Sequence, residues 1–141
     1  MPLFSPVSAG GIGKATVTAT TGSPTVDTSS RAGKTIYKFT GSGSITVGTA
    51  GTAEVLVIGG GGAGGAYGGG GAGGVLYDAA ALLPVGTLTV TIGAGGTSAG
   101  GGKQSLSGVS SSIGNYYGIG GGRGGSEAGT GSTYVAGMVG G

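Results

Sequence analysis

Along this chain, short runs of alternating apolar and polar residues are separated by stretches with no side-chain pattern at all. Ala15–Thr20 reads as a strand. Ile36-Tyr37-Lys38-Phe39 and Ile45-Thr46-Val47 flank Gly41-Ser42-Gly43 and predict a short hairpin. Glu54-Val55-Leu56-Val57-Ile58 is a continuous apolar run, the signature of a strand buried on both faces. Val75-Leu76-Tyr77 predicts another strand. Ala79–Leu83, closed by Pro84, leaves room for at most one helical turn. The cleanest two-residue period is Leu88, Val90 and Ile92 alternating with Thr87, Thr89 and Thr91. No stretch carries a helical period of useful length. The pattern predicts a mainly β chain, with essentially no α-helix.

The patternless stretches are glycine, which accounts for 41 of 141 residues. Gly59 to Gly74 holds 12 glycines in 16 positions, Gly93 to Gly102 holds 6 in 10, and Gly118 to Gly131 holds 8 in 14. An ordered glycine costs about 0.5–1 kcal/mol more than alanine, so the first block alone opposes folding by about 6–12 kcal/mol. That is the scale of a whole domain's stability. If the blocks are ordered, backbone hydrogen bonds, close packing or assembly must offset the cost. Collagen is excluded by irregular glycine spacing and only four prolines. Flexible linkers fit poorly, because the blocks lie between apolar strands and contain Ala and Tyr. Extended three-per-turn helices fit better: without side chains they approach closely and can bond one another's outward N–H and C=O groups. On that packing argument Gly61→Val or Gly70→Val should prevent folding.

Residues 1–34 are rich in Ser, Thr, Gly and Pro and read as an extended attachment arm, with Leu3, Phe4 and Val7 as its docking side chains; residues 35–141 form the glycine-rich β domain. Lys14, Arg31, Lys34 and Lys38 lie in the first 38 positions with one acid, Asp27, but the net charge is only +2. Residues 1–6 lack the charged and apolar regions of a signal peptide. The uncharged stretch 55–77 is half glycine, so no membrane insertion is expected.

Most catalytic readings fail on residue type. With no Cys and no His, thiolate chemistry, zinc sites and a Ser triad are excluded. Val55–Ile58 followed by Gly59, Gly61 and Gly64, with Asp78 downstream, imitates a dinucleotide fingerprint. The pyrophosphate needs a helix N-terminus there, and residues 62–74 hold nine glycines in thirteen, which forbids a helix. Gly33-Lys34-Thr35 resembles the end of a phosphate loop, but Thr28 stands where its first glycine belongs. Arg123 supplies a single Arg-Gly-Gly, too little for nucleic-acid binding. Asp27, Glu54, Asp78 and Glu127 are far apart in sequence. No enzyme, cofactor, metal or nucleic-acid partner is expected. Tyrosines are the remaining candidates: Tyr67, Tyr116 and Tyr117 offer large rigid contact area with a polar tip.

Residues 37–47, Glu54–Ile58 running into Gly59–Gly62, then Gly68–Gly71, Gly73-Gly74-Val75-Leu76-Tyr77, and Gly86–Gly96 resemble the glycine-rich domain common in bacteriophage tail fibres, tail-tip proteins and other virion appendages. The resemblance spans roughly residues 37–125. It implies a sandwich of polyglycine type II helices attached to a small β-layer, with loops at the tip contacting a host receptor. It implies a virion protein at the particle surface, in a tail tip or fibre or decorating the capsid, partnered by other virion proteins and forming a homotrimer. A secreted structural or ice-binding protein is the competing class. That class calls for a regular Thr or Ala array on one face, which the spacing of Ala63, Ala66 and Ala72 does not supply.

Overall fold

The structure, a computed structural model, describes residues 11–98, 104–128 and 133–135. It is mainly β, with antiparallel sheets and no helix among the described residues. The strands are β1 (Thr16–Thr21), β2 (Thr25–Asp27), β3 (Ile36–Lys38), β4 (Gly43–Thr49), β5 (Gly51–Ile58), β6 (Val75–Leu83), β7 (Gly86–Thr91), β8 (Ser111–Ile113), β9 (Tyr116–Gly118), β10 (Ser126–Ala128) and β11 (Thr133–Val135).

A five-stranded sheet runs in the order β1-β4-β7-β8-β9, and β2-β3, β5-β6 and β10-β11 form two-stranded sheets. Alternation sets the inner face of the large sheet. Ile45 and Val47 on β4 and Val90 on β7 are buried, while Thr87, Thr89 and Thr91 point away. This inner face meets the inner face of the β5–β6 hairpin. Val47, Val55, Val57, Ala81 and Leu83 form the core, with Leu88, Ile113 and Tyr116 packed at its margin. Gly114, at the first position of the two-residue turn between β8 and β9, has φ 53°, as a type II′ hairpin turn requires.

Three sequence expectations are corrected. β5 is not buried on both faces: Val55 and Val57 are inside, while Leu56 and Ile58 are 60% and 57% exposed. The hairpin it forms with β6 has one covered face, and an apolar run hides this because its outward positions are apolar too. Residues 79–83 form no helical turn; they continue β6 past a bulge opposite Ala53–Val55. Asp78 Oδ1 accepts the Ala80 N–H at that bulge, 2.9 Å away, giving the irregular backbone a partner. Finally, β3 does not pair with β4. β3 pairs with β2, and β4 lies between β1 and β7.

Residues 16–21 and 25–27, inside the stretch read as an arm, are thus woven into the sheets. Leu3, Phe4 and Val7 lie outside the described residues.

Candidate functional site

Beyond Ile58 the chain leaves the sandwich and enters the first glycine block. Gly59 N–H donates to Gly74 C=O at 2.9 Å, Gly62 to Gly71 at 2.8 Å and Gly65 to Gly68 at 2.8 Å. Each successive bond moves three residues along both strands of chain. The other pairings repeat that step. Gly60 and Ala63 donate to Val109 and Leu106; Gly71 and Gly74 donate to Gly122 and Ile119; Gly121 and Gly124 donate to Gly60 and Ala63; Val109 and Leu106 donate to Ala94 and Thr97. Residues 59–65 therefore sit at the centre, bonded to 68–74, to 104–109, to 119–124 and, through Gly96 N–H to Gly61 C=O, to 93–97.

The spacing leaves no room for side chains at defined positions. A Cβ on Gly59, Gly62, Gly65, Gly70, Gly73, Gly108, Gly120 or Gly124 would lie on a neighbouring backbone carbonyl, well inside contact distance. Gly70 behaves as expected. Gly61 does not: its Cβ would meet nothing nearer than 3.7 Å, because that position faces outward. A Cβ at position 61 therefore meets no touching backbone, unlike one at position 70. With one residue in three turned outward, an unbroken run of glycine letters cannot distinguish the two kinds of position.

Serine completes the layer, a role absent from the sequence reading. Ser105, 2% exposed, donates from Oγ to Gly64 C=O at 2.8 Å. Ser110 Oγ accepts from Gly120 N–H at 3.1 Å, Ser111 Oγ from Gly93 N–H at 3.0 Å and Ser107 Oγ from Arg123 N–H at 3.3 Å. A hydroxyl one carbon from the backbone is the polar group short enough to enter such packing and satisfy a buried amide. The clustering of serine at 105–112 was the available signal.

The three tyrosines do not share a surface. Tyr67 is 66% exposed and its N–H donates to Gly125 C=O at 3.1 Å. It lies in the turn joining residues 59–65 to 68–74. Since β5 feeds the first segment and β6 receives the second, this turn is at the end of the layer far from the sandwich. Seven residues at about 3.1 Å each place it about 20 Å out. Tyr116 and Tyr117 are successive residues of β9 and face opposite ways. Tyr117 is 53% exposed, but Tyr116 turns inward against the core and donates its hydroxyl to Leu82 C=O at 3.1 Å. The expected contact surface therefore loses Tyr116.

One charged cluster stands outside the glycine layer. Glu54, pointing outward from β5, accepts from Arg31 at 2.7 Å, Lys34 at 2.6 Å and the Tyr77 hydroxyl at 2.8 Å. The Arg31 and Lys34 hydrogen bonds, then that of Tyr77, pull its pKa down to about 2 and stitch the 28–34 loop to the hairpin. Asp27 is likewise held well below the usual carboxylate range, chiefly by the Ser30 hydroxyl and by the Ser30 and Ser29 amides. Both carboxylates are committed as acceptors. Among the described residues no three of Asp, Glu, His or Cys gather as a metal site, and no helix is long and apolar enough to cross a membrane. Arg123 is half-buried, with an Nε that lacks a hydrogen-bond partner.

Compared with family models, with curated proteins and with solved structures, the chain matches none.

Proposed function

We propose that this chain is a non-enzymatic structural protein of a bacteriophage virion, a tail-tip or tail-fibre component exposed at the particle surface and engaged in host attachment. Its glycine segments act as polyglycine type II helices, a stiff layer projecting from a β-sandwich that anchors it among other virion proteins as a homotrimer. The observation that carries the reading is the three-residue step of the hydrogen bonds between glycine segments of the chain, the repeat of an extended three-per-turn helix. A scaffold held by main chain leaves its outward positions free to vary, which suits a surface that must recognise a changing receptor. Tyr67 at the far turn and Tyr117 on the sheet are the contact residues under this reading.

Mass spectrometry with copy counting on purified particles tests it. A handful of copies per particle places the chain in the tail, hundreds assign it to capsid decoration, and absence from particles overturns the virion reading.

One observation favours the competing class. The outward face of the large sheet carries Thr21, Ser44, Thr46, Thr87, Thr89, Thr91 and Ser112, hydroxyls in register across β1, β4, β7 and β8. Thr21 and Ser44 are linked at 2.8 Å and Thr46 and Thr87 at 3.1 Å. A threonine-rich hydroxyl array on one face is the feature that class calls for. Thermal hysteresis of the purified protein would support that class, and its absence would close it.

A further inference from the structure

The outer face of the β5–β6 hairpin is apolar and exposed at its glycine-layer end, beyond the cluster that Glu54 forms there with Arg31 and Lys34. Register sets Leu56 opposite Tyr77 and Ile58 opposite Val75, with Leu82 further along. These side chains are between 56% and 65% exposed. Paired apolar side chains left on an open sheet face mark a place of association. At this end three residues of each strand make a strip about 10 Å long, and two strands make it about 10 Å wide. That is well short of the roughly 800 Å² per partner of a stable subunit interface. The strip has the footprint of one extended segment instead.

The chain contains a segment of that kind. Residues 1–10, outside the described part, include Leu3, Phe4 and Val7 and no charged side chain. Ten extended residues reach about 33–36 Å. Just after this segment, Gly13 C=O accepts the Thr52 N–H and Ala15 N–H donates to Thr52 C=O, a parallel bridge on the edge of β5. Residues 13–15 thus run in the direction of β5, with Gly13 at the Gly51–Leu83 end, away from Leu56 and Ile58. A segment joined there would have to reverse to reach the same hairpin's outer face, but not to reach a neighbour's.

We propose that residues 1–10 of one copy lie along the apolar outer face of the β5–β6 hairpin of another, setting Leu3, Phe4 and Val7 against Leu56, Ile58, Val75 and Tyr77. This rests on the homo-oligomer of the proposed function and names its contact.

The chain has no cysteine, so introduced thiols report proximity without background. Ser5→Cys chains are mixed with Val75→Cys or Leu82→Cys chains under mild oxidation. The expected result is a two-chain disulfide product with at least one partner and none with Thr89→Cys, on the outward face of the other sheet. Light scattering should show a Phe4→Asp chain, its β-sheet circular dichroism unchanged, at the mass of a single copy. Three results overturn the contact: no cross-link, a link only within a doubly substituted single chain, or an oligomer that survives Phe4→Asp. A wild-type chain that runs as one copy overturns the oligomer and the contact together.

Discussion

Val47 and Gly124 are both buried, for opposite reasons. In the sandwich, Val47 is inside because its side chain fills space between the sheets, where stability follows apolar area removed from water. In the glycine layer, Gly124 is inside because it has no side chain, and stability follows backbone groups that satisfy one another at contact distance. The comparison separates two ways of ordering a chain. In one, removing atoms does damage; in the other, adding a single carbon does. The join between them lies at Ile58–Gly59 and Gly74–Val75, where the two strands of the β5–β6 hairpin continue into paired glycine segments with the same antiparallel partnership.

Substitutions should divide the layer sharply. Gly62→Ala and Gly73→Ala put a Cβ onto the backbone of Gly122 and of Gly59. Each should cost at least about 4–5 kcal/mol, most of a small domain's stability, and be read as loss of soluble folded protein. Gly69→Ala, with nothing within 4 Å, should instead raise stability by about 0.4–1 kcal/mol by restricting the unfolded chain, seen as a higher denaturation midpoint. Equal losses at positions 62 and 69 would erase the distinction between packed and outward glycines.

In the sandwich the rule reverses. Leu83→Ala, at a site 4% exposed, should cost about 2–5 kcal/mol in chemical denaturation. Next in size is Tyr116→Phe, which keeps the ring against the core and removes the bond to Leu82 C=O, at about 0.5–1.5 kcal/mol.

The smallest effect belongs to Glu54, which is solvent-exposed. Its carboxyl is held down to about 2 in the folded chain, below the ordinary value near 4.3 of an unfolded one. A depressed folded pKa contributes stability that is fully present above the unfolded value and lost as pH falls through the folded one. Wild type should therefore melt slightly above Glu54→Gln at pH 7, and the difference should fade between about pH 4 and 2. A difference that grows on acidification would contradict the assigned pairing with Arg31 and Lys34.

Much of the sandwich was legible in the sequence. Leu88, Val90 and their intervening threonines alternate because one face is covered, and that strand lies where the period places it. β5 misled because Leu56 and Ile58 are apolar on an uncovered face, so composition could not tell one covered side from two. The 79–83 run misled because an alanine-rich stretch before proline favours a helical turn locally, while pairing with β5 overrides that preference. In the layer, strand-to-glycine transitions were readable, but the phase of the three-residue step was not: Gly61 and Gly62 are identical letters with opposite environments. The partnership of Ser105, Ser107, Ser110 and Ser111 was likewise hidden, since each acts through a backbone far away in sequence. Tyr116 and Tyr117 were separable in principle, once they are read as neighbours on a strand.

Amide hydrogen exchange resolved to single residues across 59–74 tests the central claim most directly. The account predicts slow exchange at Gly59, Gly60, Gly62, Gly65, Gly71 and Gly74, whose N–H groups are bonded within the layer, at rates approaching those of β5. Fast, uniform exchange through the block, with β5 still protected, would contradict it and leave the glycine segments as tethers between strands.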